Sequence, residues 1–305
     1  MSKFSTAIKL MKKNKDVFFV AVLQNLNFLF PDKLYLQLLF RLKMGRRLDL
    51  DNPKSFNEKI QWLKLYNRNP LYTTLVDKFA VKDYVAEKIG EEYVIPTLGV
   101  WNNANEIDFD QLPDQFVLKT TNGGGGDVVI CKDKSKFDKG EAVNHLNKGL
   151  KKKIYMRYRE WPYKNVCPRI IAEKYMNDEN GELKDYKFFC FNGDVKCIQV
   201  DYDRFVEHHR NMYDADWNLL PFTIMYPPKK DFVIEKPQNF DKMIEIAKSL
   251  SKEFPHVRVD LYNISGNIYF GELTFYHASG MKKFTPESWD YQFGEWLRLP
   301  CLRKQ

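Results

Sequence analysis

The sequence has little cysteine and no sign of a cysteine-based site. Its 305 residues contain five cysteines, an odd number, and none of them stands in a paired Cys-x-x-Cys spacing. A zinc site or a redox pair is therefore disfavoured, and the thiols are best interpreted as structural or incidental. Such thiols are typical of a reducing compartment, so the sequence predicts a cytoplasmic protein.

Long low-complexity tracts are also absent. Hydrophobic residues make up 44% of the chain and aromatic residues 15%. The chain therefore has enough apolar side chains to bury a core in one large lobe or in two to three small ones. We expect a globular protein with disorder confined to its termini.

The most membrane-like segment is too short to span a bilayer comfortably. Residues 16–30, DVFFVAVLQNLNFLF, follow the basic run KLMKKNK and superficially resemble a signal peptide. They lack a small-residue cleavage site and are interrupted by Gln24, Asn25 and Asn27, which argues against that interpretation. The pattern predicts a helix packed on the body of the protein. The alternative is an interfacial helix, held at a membrane surface by lysine and arginine.

Acidic residues are outnumbered, and the net charge is +8. This charge suits a polyanionic partner such as a nucleotide, an acidic polysaccharide, a nucleic acid or an anionic membrane surface. Nucleic acid is the least favoured partner, because no aromatic and basic RNA-binding signature accompanies the charge. Residues 148–169 hold eight lysines and arginines against the single Glu160. Such a run favours a solvated face, with a channel for an acidic ligand as the alternative.

The order of elements predicts an α+β fold. Helices are expected in residues 31–47, in residues 55–67 after a capping box from Ser55 to Glu58, and in one helix over residues 71–90 that ends at Gly90. Short β-rich segments follow from residue 93, with further helices near residues 140–150 and 238–253. Because strands and helices do not alternate regularly, we expect α+β lobes and not one doubly wound sheet.

Four consecutive glycines lie between two strand-like segments in FVLKTTNGGGGDVVICKD, residues 116–133. Such a loop brings bare backbone amides close to an anion. It is neither a Walker loop nor a dinucleotide fingerprint, since Gly-Lys-Ser/Thr is missing and a strand pattern follows where both require a helix. The alternatives are a hairpin that folds over a nucleotide and a simple turn. Lys119 precedes the loop among apolar residues, so it needs a carboxylate or phosphate partner unless it snorkels from the strand end.

The last predicted hairpin carries two carboxylates. In HVRVDLY, alternation places Arg258 and Asp260 on one face, and in YFGELTFYH it places Glu272 with Thr274. The short connection NISGN predicts that Asp260 and Glu272 lie opposite or diagonal to each other. Two opposed carboxylates need a cation, and a phosphate-bearing substrate favours Mg²⁺. The alternative is salt bridging by Arg258.

These segments together resemble a known fold. Lys78, Lys119 with the glycine loop, IIAEKYM, VRVDLY and IYFGELTFYHASG follow one another as in the ATP-grasp fold. The last two look like the Arg-x-Asp and magnesium strands of D-alanine:D-alanine ligases. NPKSFNEKIQWLKLYN, DYKFFCFNGDV, NMYDADWN and GELTF more closely resemble the TupA-like ATP-grasp proteins of bacterial polysaccharide and teichuronopeptide gene clusters. The resemblance implies a helical region at 1–76, a small lobe at 77–176 and a large lobe at 177–305.

The resemblance also implies roles for individual residues. The phosphates of ATP would be held by Lys78, Lys119 and a flap of Gly123, Gly124, Gly125 and Gly126. Adenine would be gripped by Glu173, Lys174 and Met176, with Glu173 accepting from the exocyclic amine, and the ribose by Asp185. Arg204 would reach the γ-phosphate, and Arg258 would stabilise the transferred phosphoryl group. Asp260 and Glu272 would carry Mg²⁺. Thr274 stands where many relatives have asparagine as a further ligand, which implies weaker binding or fewer metals.

The implied activity is ATP-dependent ligation of a carboxylate to an amine through an acyl phosphate. The gene clusters of the family imply a uronic acid of a cell-surface polysaccharide or its precursor, joined to an amino acid or other amine. Ser279 and Gly280 would approach the acyl phosphate, and His208, His209 and Arg210 would hold the sugar. One alternative is a glycosyltransferase using Asp-x-Asp at 201 or 214. The other is a non-catalytic nucleotide- or glycan-binding protein docked on a membrane through its basic N-terminus.

Overall fold

The computed structural model describes residues 15–123, 126–177, 183–202, 207–229 and 232–301. Three residues with predicted roles, Gly124, Gly125 and Arg204, lie outside the described residues. Of the helices that the structure describes, none combines the length and the apolar character that a membrane span requires. The five cysteines all lie within the described ranges and are free thiols.

The described chain begins with five helices. They are α1 (Lys15–Asn25), α2 (Asp32–Met44), α3 (Phe56–Tyr66), α4 (Leu71–Val76) and α5 (Val81–Ile89), with a short 3-10 turn at Asn27–Leu29. The capping box that begins α3 is confirmed: Ser55 Oγ accepts from the Glu58 amide at 3.3 Å, and Glu58 Oε2 accepts from the Ser55 amide at 3.0 Å. It satisfies two backbone amides that the helix itself leaves free.

The prediction of one helix over residues 71–90 is wrong. The chain turns between α4 and α5, because Asp77 Oδ1 accepts from the backbone amides of Phe79 at 2.9 Å and Ala80 at 3.1 Å. An aspartate that binds the amides two and three residues ahead favours a turn over a continuing helix. Lys78 therefore lies in this turn and not on the preceding helix.

A four-stranded antiparallel sheet follows. Its strands are β1 (Thr97–Trp101), β2 (Phe116–Thr120), β3 (Val128–Cys131) and β4 (Ile170–Lys174), in the order β1-β4-β2-β3. Between β3 and β4 lie α6 (Lys139–Leu150) and α7 (Ile154–Tyr158). One face of the sheet packs under α6 around Phe116, Leu118 and Leu146. The predicted strand, glycine loop and strand are confirmed as the hairpin β2–β3.

A five-stranded antiparallel sheet forms the larger body. The chain passes through β5 (Asp185–Phe191), β6 (Asp194–Tyr202), β7 (His209–Tyr213), the short β8 (Thr223–Ile224), α8 (Phe240–Ser251), β9 (His256–Ile264), β10 (Asn267–Thr274), the short β11 (Phe284–Thr285) and α9 (Ser288–Trp296). The strand order is β10-β9-β5-β6-β7, and β8 pairs with β11. All residues of the central β5 are buried. Helix α8 covers the apolar face of β9, β5 and β6.

The last hairpin is tighter than the sequence suggests. The strands β9 and β10 extend to Ile264 and from Asn267, and only Ser265 and Gly266 turn, with φ of 49° and 88°. Left-handed values at both turn residues are typical of the tight turns that join twisted strands. The register pairs Glu272 with Asp260, so the prediction that they oppose each other is confirmed.

The described residues form two apolar cores. The first runs from the N-terminal helices through the five-stranded sheet to α9, and it includes Val81 and Val85 of α5. The second lies between the four-stranded sheet and α6. The predicted regions 1–76 and 177–305 thus share side-chain packing, and the division into three parts stays a prediction.

Candidate active site

A charged cleft lies between the two sheets. It is lined by Lys78, Lys82, Val94, Ile95, Lys119, Glu173, Phe270 and Gly271. The segment between α5 and β1 reaches the large sheet, because Val94 forms a parallel bridge with Phe270 at the edge strand β10. The cleft therefore joins the open face of the small sheet to the strand that carries Glu272.

Glu173 lies at the centre of this cleft and binds two lysines. Lys82 Nζ is 2.7 Å from one carboxylate oxygen, and Lys119 Nζ forms an ion pair with the other. Burial alone would raise the pKa of Glu173, but Lys119 and Lys82 outweigh it and hold the pKa below its ordinary value. Burial lowers the pKa of Lys82 against the opposing effect of Glu173. With Lys78, three ammonium groups face one carboxylate, an excess of positive charge that suits an anion.

The acceptor predicted for Lys119 is thus a carboxylate. The contact of Glu173 with adenine stays a prediction, because both of its oxygens accept from lysines here. Lys82 was not identified from the sequence. Its spacing of four residues from Lys78 was the available signal, since that spacing brings side chains to one side of a helical segment. Lys82 also donates to the carbonyl of Ile95 at 2.7 Å, which ties α5 to the segment that reaches β10.

Both ends of the glycine loop are held. Lys78 Nζ donates to the carbonyl of Gly123, and His145 Nε2 of α6 donates to that of Gly126 at 3.0 Å. Gly126 has φ of 98°, a conformation that favours glycine. The structure therefore places Lys78, Gly123 and Gly126 together at the β2–β3 hairpin, and their contact with the phosphates of ATP stays a prediction.

The residues after Glu173 leave the cleft. Alternation along β4 turns Lys174 to the opposite face of the sheet, where it is exposed and lines an open groove with Leu98 and Gln115. Met176 follows beyond the strand and is partly buried. In its present position the Lys174 side chain does not face the cleft. The predicted contact of Lys174 and Met176 with adenine would therefore be made by the backbone of residues 174–176 or by the side chain of Met176.

A second charged cluster lies on the face of the large sheet opposite α8. Arg258 donates to both oxygens of Asp260, at 2.6 and 2.7 Å, and to Thr274 Oγ1 at 3.0 Å. Thr274 in turn donates to Glu272 Oε1 at 2.9 Å. The Arg258 salt bridge, one of the two alternatives for this hairpin, is therefore present. The hydroxyl of Thr274 orients Arg258 and Glu272 toward each other.

Burial and pairing shift the pKa values of this cluster in physically opposed ways. Burial alone would lower the pKa of Arg258, but Asp260 outweighs it and the pKa is raised. Burial raises the pKa of Asp260 despite Arg258 beside it. His277 Nδ1 lies 2.7 Å from Arg258 Nη1. Because arginine only donates, this nitrogen must accept, which agrees with the low pKa of His277 caused by its burial and by Arg258.

Further charges continue the cluster across the strands. Lys187 of β5 forms ion pairs with Asp185 and with Asp201, the latter at 3.2 Å. Asp201 also accepts from Arg210 Nε at 2.7 Å and contacts His208 Nε2 at 3.0 Å. Burial lowers the pKa of Arg210. Lys187 was not identified from the sequence, although the strand alternation that found Asp260 would also place it on this face.

The adjacent histidines point in opposite directions. His208 faces Asp201 and stacks on Tyr226 with ring centroids 3.8 Å apart, whereas His209 is buried against Tyr202. Successive residues of a strand alternate between faces, so the structure brings together His208 and Arg210 but not His209. Their contact with a sugar stays a prediction.

The segment after β10 forms a left-handed turn. Ala278, Ser279 and Gly280 have φ of 48°, 58° and 57°, which is strained for the first two residues. Gln61 Nε2 of α3 donates to the carbonyls of Ser279 at 3.0 Å and Gly280 at 2.8 Å. The fully buried Lys64 donates to the carbonyl of Ser279 at 2.8 Å. Helix α3 therefore fixes the turn that was predicted to approach the acyl phosphate.

The side chain of Ser279 is also held. Its hydroxyl donates to the partly buried Glu160, whose pKa is raised by burial. Gln61, Lys64 and Glu160 were missed by the sequence analysis. The segment SFNEKIQWLKLYN predicted a helix and contributed to the family resemblance, but neither reveals the distant turn against which the helix packs.

One of the two Asp-x-Asp tripeptides serves a local turn. Asp214 Oδ1 accepts from the backbone amides of Asp216 at 2.9 Å and Asn218 at 2.8 Å. In the other tripeptide, Asp201 belongs to the buried cluster and Asp203 lies outside the described residues. The contacts of Asp214 and Asp201 are thus made within the protein.

Comparison with known proteins agrees with this arrangement of segments. Residues 58–298, which make up most of the chain, match the family described as TupA-like ATP-grasp. This chain belongs to that family. Its fold is therefore the ATP-grasp fold, here with helices α1–α5 preceding the small sheet. No curated protein sequence matches the chain.

Several solved structures resemble this family member. The D-alanine–D-alanine ligase of Bacillus anthracis complexed with ATP is 16% identical with a TM-score of 0.39, over 66% of this chain and 54% of that one. The Helicobacter pylori enzyme is 14% identical with a TM-score of 0.42, over 74% and 64%. D-cycloserine synthetase DcsG is 16% identical with a TM-score of 0.42, over 75% and 72%. The chain thus spans less than two thirds of the length of either D-alanine ligase.

Proposed function

We propose that this TupA-like ATP-grasp protein is an ATP-dependent ligase that joins a carboxylate to an amine. One observation carries the proposal. The cleft of Lys78, Lys82 and Lys119 around Glu173 is lined by Gly271, the residue before Glu272, and Glu272 pairs with Asp260, which binds Arg258. Three ammonium groups, a pair of carboxylates and a guanidinium therefore lie on adjoining segments, and phosphoryl transfer uses groups of these kinds.

In this proposal the cleft binds the phosphates of ATP. Lys78, Lys82 and Lys119 neutralise them, and the glycine loop from Gly123 to Gly126 closes over them and excludes water. Glu173 keeps Lys82 and Lys119 in place before the nucleotide arrives. We retain the roles that the resemblance implies for four further residues: Lys174 and Met176 would bind adenine, Asp185 the ribose and Arg204 the γ-phosphate.

Magnesium fits the chemistry of its two predicted carboxylate ligands. Asp260 and Glu272 offer carboxylate oxygens from paired positions, and Mg²⁺ is commonly held by one or two carboxylates together with phosphate oxygens. Both oxygens of Asp260 and the hydroxyl of Thr274 accept from Arg258, so Arg258 would have to release them to Mg²⁺. Thr274 fits less well than the carboxylates, because its hydroxyl also donates to Glu272. Within the described residues, no three His, Cys, Asp or Glu side chains are grouped so as to hold a metal. Bound Mg²⁺ would supply neutralisation of the phosphate charge.

The reaction needs no protein nucleophile. An oxygen of the substrate carboxylate attacks the γ-phosphorus of ATP, the bond from that phosphorus to the bridging oxygen breaks, and ADP leaves. The amine then attacks the carbonyl carbon of the acyl phosphate and loses a proton, and inorganic phosphate leaves. Arg258 and Lys119 stabilise the charge that develops on the transferred group. The turn Ser279–Gly280, fixed by Gln61 and Lys64, lies beside His277 and Arg258 and positions the acyl group.

We propose an acidic sugar as the carboxylate substrate. A uronic acid of a cell-surface polysaccharide, or its precursor, would reach the sheet face at His208 and Arg210, and an amino acid or other amine would be the acceptor. The buried Arg210 lies beside Asp201, so it provides a guanidinium suited to a carboxylate. The reaction would take place in the cytoplasm, where ATP is available.

The acyl phosphate can be tested without knowing the amine. Hydroxylamine attacks acyl phosphates and gives a coloured hydroxamate with ferric iron. Purified protein is incubated with ATP, Mg²⁺, hydroxylamine and a panel of uronic acids and amino acids. We expect hydroxamate in proportion to ADP with at least one acid, and none with E272Q or K119M. The matched control E235Q changes an exposed glutamate and should keep the activity.

The rival functions give different results in the same assay. A glycosyltransferase would release nucleoside diphosphate from a sugar nucleotide and form no hydroxamate. A non-catalytic binding protein would bind ATP, show no turnover with any acid, and lose ATP binding in K119M. Either result would overturn the ligase proposal while leaving the family membership intact.

A further inference from the structure

The first two helices leave an apolar surface uncovered. The apolar side chains of α1 are spread around the whole helix, yet Leu23 is its only buried residue among those described. A helix that is apolar on all sides is normally buried on all sides. Helix α1 packs mainly on α2 and also touches the 3-10 turn, and within the described residues all of its side chains except Leu23 are exposed or only partly buried.

The uncovered surface continues beyond α1. The 3-10 turn exposes Phe28 at 67% and Leu29 at 61%. We name the exposed apolar side chains of the two helices, the turn and the residue between α1 and the turn the apolar face, which consists of Val17, Phe19, Val22, Leu26, Phe28, Leu29, Leu34 and Leu38. Large apolar side chains exposed on neighbouring elements in this number are typical of an interaction site.

Basic side chains surround the apolar face. Lys33 and Arg41 are exposed on α2, one residue before Leu34 and three residues after Leu38. Helix α7 lies against the 3-10 turn and exposes Arg157, and the exposed Lys151 and Lys153 precede it. Part of the basic run over residues 148–169, for which the sequence predicts a solvated face or a channel for an acidic ligand, therefore lies next to the 3-10 turn of the apolar face.

The acidic residues of α1 and α2 are two, the exposed Asp16 at the start of α1 and Asp32 at the start of α2, and Asp32 is neutralised. Asp32 accepts from Arg68 at 2.7 Å, from Tyr155 at 2.7 Å and from Arg159 at 2.9 Å. Arg159 also donates to the carbonyls of Asn27 at 2.6 Å and Phe30 at 3.3 Å, which fixes the turn that presents Phe28 and Leu29. In the sequence, residues 1–15 contain five lysines and no acidic residue.

We propose that the apolar face docks on the surface of an anionic lipid bilayer. The chemistry points to lipid because apolar side chains bordered by lysine and arginine match the two layers of such a surface, acyl chains below and anionic headgroups above. A protein partner would instead need acidic side chains placed opposite each cation. The docking that we propose is peripheral, on the surface of the bilayer. This inference does not depend on the ligase activity.

Vesicle flotation with the full chain tests the proposal. The probes are vesicles of phosphatidylcholine alone and of phosphatidylcholine mixed with phosphatidylglycerol. We expect the wild type to float with the anionic vesicles, to stay behind with the neutral ones, and to be released as salt rises. The variant F28S/L29S should bind anionic vesicles about tenfold more weakly, because two inserted apolar side chains are lost. K33Q/R41Q/R157Q should also bind more weakly and with a shallower salt dependence.

A matched variant separates the apolar face from general hydrophobicity. L219S/V233S removes two side chains of similar exposure, 50% and 66%, outside the apolar face, and should bind like the wild type. All variants change exposed side chains, so equal thermal unfolding midpoints check that each is folded.

Three outcomes overturn the proposal. One is equal flotation of the wild type and F28S/L29S, and another is equal binding to neutral and anionic vesicles. The third is a dimer that F28S/L29S converts to a monomer without vesicle binding, since the face would then join two copies of this chain. Hydroxamate formation measured on the same variants reports separately on the ligase proposal.

Discussion

At the residue scale, Lys82 is the least expected member of the cleft. It binds Glu173 and the carbonyl of Ile95, both at 2.7 Å. We predict that K82M lowers the kcat/KM for ATP about ten- to hundredfold, because a hydrogen bond between charged groups contributes about 1.5–3 kcal/mol and the cleft loses one positive charge. Steady-state kinetics at varied ATP measures the effect.

The control for Lys82 lies on the same helix. Lys88 of α5 pairs with Glu253 at 2.8 Å away from the cleft, and K88M should leave ATP kinetics unchanged. Equal losses in K82M and K88M would mean that the effect comes from destabilising α5 and not from the charge in the cleft.

His256 links the stability of the large sheet to pH. It is buried, and its burial lowers its pKa to about 3. The unfolded chain has a histidine pKa of about 6.5, so below that pH the unfolded state takes up a proton that the folded state does not. The stabilising contribution is therefore complete above about pH 6.5 and is lost as the pH falls toward 3, by up to about 1.4 kcal/mol per pH unit.

Replacing this histidine should flatten the acid limb of the stability profile. His256 stacks on Phe191 at 4.7 Å and donates to the Cys190 carbonyl at 2.8 Å, so H256F keeps the shape and loses one hydrogen bond. We expect the free energy of unfolding of H256F to be lower at neutral pH by about 1 kcal/mol. Between about pH 5.5 and 4, its free energy of unfolding should fall less steeply with decreasing pH, by roughly the contribution of one proton. Urea unfolding at several pH values measures both. An unchanged slope would show that His256 does not remain neutral in the folded state.

At the element scale, α6 contains two glycines in contrasting surroundings. A Cβ at Gly149 would lie 2.9 Å from Thr120 Cγ2 and 3.0 Å from Asp127 Cγ, whereas one at Gly140 would meet only Asp138 Oδ1 at 3.4 Å. Thr120 and Asp127 flank the glycine loop in the sequence. Gly149 therefore sets how closely α6 approaches the hairpin that carries the loop.

The two glycines give opposite predictions for the same substitution. G140A should stabilise the protein by up to about 1 kcal/mol, because alanine is the better helix former. G149A should destabilise it by about 1–3 kcal/mol through overpacking, and should weaken ATP binding by displacing the hairpin. Urea unfolding and calorimetric titration with ATP measure these effects. If G149A were more stable than the wild type and bound ATP with unchanged affinity, the hairpin would be able to shift and accommodate the added methyl group.

At the scale of the whole molecule, the cleft lies where two separate cores meet. One core supports the small sheet with Lys119 and Glu173, and the other supports β9 and β10 with Arg258, Asp260 and Glu272. A nucleotide that contacts both sheets binds only when both are folded. Its binding free energy then adds to the free energy of unfolding.

We therefore predict that ATP with Mg²⁺ stabilises the protein by about 2.7 kcal/mol at a hundredfold excess over its Kd. AMP, which lacks the β- and γ-phosphates, should give a smaller effect at equal concentration, and E272Q should reduce the effect of ATP more than that of AMP. Thermal unfolding with each ligand measures this. Equal stabilisation by ATP and AMP would place the affinity on adenosine and not on the phosphate cleft.

Several features of the site could be predicted because they depend on neighbours in the chain. Strand alternation and a short turn suffice to bring Asp260 opposite Glu272, and the same alternation places Arg258 beside Asp260. The capping box of α3 depends on residues only three apart. The interruption between α4 and α5 at Asp77 was missed because the helical periodicity of the sequence continues through it. The helix is interrupted because the Asp77 carboxylate accepts from the backbone amide of Phe79.

Other features depend on packing between distant segments. The apolar neighbours of Lys119 in the sequence are enough to predict that it needs an acceptor. Only the pairing of β2 with β4 in the folded protein brings Glu173 close to Lys119. Lys64 lies in a regular helical pattern, and only the folded structure places the turn at Ser279 over it. The apolar residues of α1 predict burial, yet in the described structure Leu23 is the one residue of this helix that is buried.

The sequence by itself determined the α+β class, the glycine hairpin, the opposed carboxylates of the last hairpin and the family, because these rest on local periodicity, turn chemistry and the order of short motifs. The tertiary structure decided that Glu173 binds Lys82 and Lys119, that α3 fixes the turn after β10, and that the apolar face of α1 and α2 stays uncovered. Each of these depends on which distant segments pack together, and local sequence patterns do not determine the contacts between distant segments.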